Sequence, residues 1–540
     1  MTKIQKLILV IIIVLAAMFR FGELGDISTG IHADESSQAY NAYSLLKTGK
    51  DMYGKAFPIL FRANGSYQPP VYTYLTMIPV ALFGNTIFSA RFISAFSGTL
   101  LVLLSFLLVY FYGIGDKQER TKQGLFVSLV LAISPWSIHF SRLAVEGNLV
   151  VTFFVLGVFI IAISFKKKWL FPLACMIFAL TTHVYYTERI TSILFIVLFV
   201  FLFKSYYLKR KKEIVVGFVV FAIILIPHLF IARTGALTKR MSQVGYINNP
   251  QATSGNILDR VSFLSGQFAD HYLFYFSPKN LFFDPGQSLG RTTSDLSVFY
   301  PWFFVFAVAG ASYLLNNKKN LLVKLLAIIV IIAPIPAGIT GDLFYPLRVL
   351  TFLWAVSLIV GYGFYYAWEK INPKFIKYAL VAGVFVYSGF YFYISYFATA
   401  KYSQSPDLGY SYIKLIDELQ KYKDKKIFID FSGRSWGVGI RMAYLLKADP
   451  VKIQKSLSSQ LVTPYYSEEV NAWETYTIDN ITIKPLNWFD ACESAIIVGD
   501  RYSVSESQIK DHNMKLEFAV KNLVNEDTLF GYSAFKECAN

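Results

Sequence analysis

Most of the first 400 positions are filled by apolar runs of spanning or near-spanning length. They lie at about 5–19, 87–112, 124–140, 148–165, 169–186, 190–203, 214–231, 298–315, 321–339, 349–366 and 377–397. A helix that crosses the hydrocarbon core needs about 20 mainly apolar residues. In lipid its backbone has no water to bond, so every N–H and C=O must be satisfied inside the helix. The pattern therefore predicts an α-helical polytopic membrane protein of about eleven spans. Composition agrees: 55% of the 540 residues are hydrophobic and 16% are charged, where a soluble chain carries roughly 25% charged residues. A shorter run, Val71–Phe83, opens with Pro69-Pro70 and reads as a helix at the membrane surface or dipping into it.

The net charge of +16 does not mark a nucleic-acid partner, because the basic residues sit in short loops between apolar runs. Alternate connections hold Lys3/Lys6, Lys117/Arg120/Lys122, Lys166–Lys168, Lys204 with Lys209–Lys212, Lys318-Lys319 and Lys370/Lys374/Lys377. Positive loops stay on the cytoplasmic side. The N-terminus is thus expected inside and the tail, from about Tyr402, outside a plasma membrane crossed many times. The first run follows Lys3 and Lys6 as a signal peptide would, but Arg20 comes directly after it with no clear small-residue cleavage site, so it reads as a retained span.

After residue 400 the composition shifts. A helical period at 408–421 gives way to a strand at Lys426–Asp430, a helix at Arg441–Leu446 and a strand at Ser494–Gly499. This predicts two domains: a membrane module, 1–400, with outer loops 20–86 and 232–297, and an extracytoplasmic α/β domain, 401–540. Three cysteines are too few for a thiolate metal site. Cys492 and Cys538 both fall in the tail, where a disulfide between them would pin the C-terminus.

The outer side collects the unusual polar groups. Asp34-Glu35 follows the first span in the string HADESSQAY. Adjacent acids beside a bilayer are costly unless water or chemistry requires them; a solvent-exposed loop would hold them without cost. Arg91 and Arg348 each begin a span at headgroup depth, where they either meet a phosphate or merely snorkel. Arg142 and Glu146 are four apart and form either a site or an intrahelical pair. His183 and Arg189 flank a span end, a place where a histidine is commonly a satisfied packing group. No phosphate-binding glycine loop of the Walker type is present, so soluble nucleotides are not the expected donors. A lipid-anchored activated group suits this face: a carboxylate takes the acceptor proton and arginines stabilise the departing phosphate.

The string HADE followed by SSQAYNAYSLLKTG, then YQPPVYTYLTMIPVALFGNTIFSARFISAFSG, resembles the GT-C membrane glycosyltransferases of the protein O-mannosyltransferase and aminoarabinose transferase type. Further likeness lies in SPWSIHFSRLAVEGN, YFSPKNLFFDPG and PIPAGITGDLFYPLRVL, so that it runs in order through about residues 1–400. The resemblance implies that Asp34 is the catalytic base, with Glu35 beside it, and that Arg91 lies near the lipid phosphate. It places Glu146 where members carry a second functional acid, and Tyr345 where relatives often have histidine. The family divides on a divalent metal, and this sequence has no convincing ligand cluster for one.

The expected activity is inverting transfer of a monosaccharide from a polyprenyl-phosphate donor to an acceptor hydroxyl on a protein, glycan or lipid. The alternatives are a flippase or transporter for lipid-linked sugars, which would often show repeated halves, and a polysaccharide polymerase. No repeat is visible, and the charges gather on one side.

Overall fold

A computed structural model describes residues 1–26, 30–207, 209–285, 295–431, 437–492 and 494–534. Each of the eleven apolar runs contains helix. Among the described residues seven helices are long and apolar enough to cross a membrane, or eight when a bent pair is taken as one span. The runs at 169–186 and 298–315 yield only the shorter apolar helices Leu170–Thr181 and Phe303–Asn316, and the run at 190–203 is helical as far as Leu202, in the 15-residue helix Glu188–Leu202. Pro70–Phe83 is also a short apolar helix. Cys538 lies outside the described residues, and with it the pairing expected with Cys492.

The chain packs as two compact units. The first comprises Met1–Gly22, Ile93–Ala232 and Arg240–Thr399, and the second comprises Glu23–Phe92, Arg233–Lys239 and Ala400–Asn540. The division follows contacts rather than a single cut near residue 400, since residues 23–92 pack with the C-terminal part.

In the first unit the bent pair joins Lys117–Ile133 to Pro135–Ser141 at 57°. Proline causes the break: it has no N–H to give the carbonyl four residues back, and its ring clashes there. The carbonyls so released are taken up by Arg20, which is buried. Its Nη2 donates to Leu131 O at 3.0 Å and to Ser137 Oγ at 2.7 Å, and its Nη1 donates to Ala132 O at 3.2 Å. Buried indoles find hydroxyl partners in the same way: Trp136 Nε1 reaches Ser357 Oγ at 3.1 Å and Trp354 Nε1 reaches Ser105 Oγ at 2.9 Å.

The second unit opens with helix Ala33–Thr48 and a short antiparallel hairpin, β1 (Phe61–Ala63) and β2 (Ser66–Gln68). The remaining strands form one six-stranded sheet in the order β4-β5-β3-β6-β8-β7. They are β3 (Ile427–Asp430), β4 (Tyr476–Ile478), β5 (Ile481–Lys484), β6 (Ile496–Gly499), β7 (Met514–Lys521) and β8 (Asp527–Ala534). β3 is parallel to both β5 and β6, and the other pairings are antiparallel. The expected strands at 426–430 and 494–499 are the sheet's two central members, buried throughout. β7 alternates apolar and polar residues from Met514 to Phe518, a strand signal that the sequence reading did not take up, whereas β8 carries no such alternation.

A buried polar cluster ties residues 51–67 to residues 464–474 within this unit. Asp51 Oδ1 accepts from the Tyr53 and Lys55 amides at 2.9 and 2.8 Å, and Tyr465 Oη donates to Asp51 Oδ2 at 2.5 Å. Tyr53 Oη donates to Glu474 Oε2 at 2.8 Å. Burial pushes the Asp51 carboxyl up to about 6 and that of Glu474 to about 7.

Candidate active site

Helix Ala33–Thr48 is started by its own sequence. His32 caps it: its ring nitrogen Nδ1 accepts from the Asp34 amide at 3.3 Å, and Glu35 Oε2 accepts from the His32 amide at 2.9 Å. This is a capping box with histidine in the place usually held by Ser or Thr. Acids in the first turn also suit the positive end of the helix dipole.

Adjacent residues on a helix point about 100° apart, and here that separates the two acids completely. Glu35 turns inward, where its side chain is 1% exposed and that of Arg91 0%. The two form a forked ion pair, Nε to Oε1 at 2.9 Å and Nη2 to Oε2 at 3.0 Å. Arg91 Nη2 also donates to Gly30 O at 2.9 Å, and its Nη1 to Leu24 O at 3.4 Å. Asp34 turns outward with 43% of its side chain exposed. Gln68, on β2, donates through Nε2 to the Asp34 carbonyl at 3.2 Å and to Oδ1 at 3.3 Å. His32 Nδ1 lies 3.8 Å from Asp34 Oδ2.

The acidic pair is therefore two different devices. Asp34 is an accessible, oriented carboxylate that can accept a proton. Glu35 is a buried anchor whose charge is met by Arg91. Arg91 was expected to hold a donor phosphate; its guanidinium is fully buried and directed at protein acceptors. Sequence reasoning missed Gln68 as the group that orients Asp34, although it lies in the YQPP string that carried the resemblance.

In the first unit the other expected ligands separate into three places. Arg142 caps a helix: Nη1 donates to Phe19 O at 3.0 Å and Gly22 O at 2.7 Å, the orphan carbonyls at the end of Lys3–Phe21. Its guanidinium also lies over the rings of Tyr396 and Phe397. Residues 142–146 link helix Pro135–Ser141 to helix Gly147–Ser164, so Arg142 and Glu146 do not lie on one helix. His183 stacks on His228 with ring centroids 4.0 Å apart and bonds Ile224 O at 2.9 Å; Arg189 sits over the Tyr186 ring. Glu146 and Arg348, with Arg240 and Tyr345, converge within electrostatic reach of Tyr185. Arg348 is held by Asp342 at 2.7 Å and by Thr340 Oγ1 at 2.7 Å.

Among the described residues no group of three or more His, Cys, Asp or Glu side chains could hold a metal ion.

The fold has solved counterparts. ArnT from Cupriavidus metallidurans in the apo state matches with a TM-score of 0.55 at 12% identity, covering 97% of this chain and 97% of its own. ArnT bound to undecaprenyl phosphate matches with a TM-score of 0.56 at 12% identity, covering 98% of this chain and 99% of its own. The Archaeoglobus fulgidus oligosaccharyltransferase in complex with Zn and sulfate gives a TM-score of 0.51 at 13% identity, covering 98% of this chain and 73% of its own. The likeness is one of fold, shared with these ArnT and oligosaccharyltransferase structures. No protein-family model matches the sequence, and no curated protein does.

Proposed function

We propose that this chain transfers a monosaccharide from a polyprenyl-phosphate-linked donor to an acceptor hydroxyl, with inversion at the anomeric carbon. The observation that carries the reading is the accessible, Gln68-oriented Asp34 beside a Glu35–Arg91 pair that fixes its helix. The GT-C fold, shared with an ArnT that binds undecaprenyl phosphate, supports a lipid phosphate as the leaving group.

In the proposed step the acceptor oxygen attacks the anomeric carbon from the face opposite the phosphate. The bond from that carbon to the phosphate oxygen breaks, and polyprenyl phosphate leaves with the electron pair. Asp34 takes the acceptor proton as the new bond forms. The departing phosphate calls for cations, and arginine's fixed donor fork suits its oxygens. Glu35 and Arg91 position; they do not touch substrate. The acceptor is a hydroxyl of a protein, a glycan or a lipid at the outer face of the plasma membrane, with the N-terminus cytoplasmic.

Mass analysis of lipids and glycans in a deletion strain tests the proposal. Accumulation of one unused polyprenyl-phosphate sugar, with loss of one decorated product, is the expected result and identifies both substrates. An unchanged donor pool, with all glycans intact, refutes it.

A further inference from the structure

Asp34 stands in the first turn of its helix, so its position depends on the residues that lead into that turn. Those residues are gripped by the C-terminal part of the chain, within the same compact unit. The Ile31 amide donates to Leu408 O at 2.7 Å, and the Ile31 carbonyl accepts from Arg441 Nε at 2.9 Å. Gly30, at φ 125°, lies so close to the Leu408 carbonyl that a Cβ there would collide with it. The Gly30 carbonyl is in turn held by Arg91.

Arg441 is buried, lies over the Tyr412 ring with 5.2 Å to its centroid, and is within electrostatic reach of Glu35. It belongs to helix Val438–Leu445, which follows β3 in the C-terminal sheet. That helix is capped by Gly437, whose missing Cβ lets it pack directly on Ala33, the first residue of the Asp34 helix. Tyr444, on the same helix and buried, lies near both Glu35 and Arg91.

We infer that Arg441 is a positioning residue for Asp34, setting the start of the acidic helix by holding the Ile31 carbonyl. The C-terminal α/β part is then a component of the catalytic apparatus and not an independent module. This rests on the reading of Asp34 as the base. It assigns a role to a residue more than 400 positions away in the chain, on an element that carried no chemistry in the sequence.

The test uses the full chain in membranes of the deletion strain, with the polyprenyl-phosphate sugar that those membranes accumulate as the probe. Arg441→Met keeps much of the side-chain length and removes the donor. It is expected to lower kcat about tenfold while leaving KM for the donor within about twofold, the signature of lost transition-state positioning. Arg441→Lys keeps the charge without the planar fork and should restore part of the rate, which a melting curve of each variant separates from misfolding. If Arg441 acts through Asp34, adding Arg441→Met to Asp34→Asn costs less than about twofold more, because interacting sites are not additive. Parental kcat in a folded Arg441→Met or Arg441→Lys protein, or losses that multiply in the double variant, would overturn the inference. Parental activity in Asp34→Asn alone would instead overturn the base reading on which it rests.

Discussion

Arg91→Met is the perturbation that most directly separates a brace from a phosphate ligand. The substitution removes both guanidinium bonds to Glu35 and the bond to Gly30 O, while Glu35 stays at 1% side-chain exposure. Removing one partner of a buried pair strands the other charge away from water, at a cost of about 3–5 kcal/mol. For a domain of this size each kcal/mol moves the melting temperature by about 2–4 °C, so the drop should be about 6–20 °C. Replacing both residues with apolar ones, as in Glu35→Leu with Arg91→Met, leaves no stranded charge and should recover much of the loss. Tryptophan fluorescence melts of the detergent-solubilised chain give these values directly. Below the melting transition, native mass spectrometry with undecaprenyl phosphate supplies the second arm. A brace leaves that affinity within about twofold, whereas losing a charge-assisted phosphate contact weakens it about tenfold or more. An Arg91→Met protein that melts within about 2 °C of the parent, or that loses lipid phosphate binding while folded, refutes the reasoning.

Three further outcomes are expected. Asp34→Asn keeps the shape of the side chain and its Gln68 contact but removes basicity, so donor consumption should fall by about a hundredfold or more; near-parental turnover in a correctly inserted protein would reject Asp34 as the base. Asp51 and Glu474 have folded-state values raised to about 6 and about 7, so the native state binds more protons than the unfolded chain and stability falls as pH rises between about 4 and 7. Each group contributes about 3 kcal/mol to that fall; the melting temperature should be higher at pH 5 than at pH 8, and a Glu474→Gln protein with an undiminished difference would contradict this. The alternating basic loops predict an N-terminus inside and a tail outside. A reporter active only outside, fused after residue 400, should be active, and one fused within 204–213 silent; the reverse pattern would overturn the orientation.

The sequence by itself determined the class of the molecule, because burial in lipid imposes a length and an apolarity on each helix that no packing partner can supply. It also singled out Asp34 and Glu35, since two charges beside a bilayer are conspicuous, and it located the strand at Ile427–Asp430 by a run of apolar residues. It did not determine how differently the two acids are held. That was decided by the rotation of one residue on a helix together with the arrival of Arg91 from 56 positions away. Arg142 was equally unreadable: its partners are the final carbonyls of Lys3–Phe21, and a backbone acceptor leaves no mark on the sequence of the donor. Arg441 is the furthest case, for its task is set by the Ile31 carbonyl, 410 residues away. Charge and hydropathy act locally and are written in order along the chain. Which buried cation meets which acceptor depends on contacts that only the folded chain brings together.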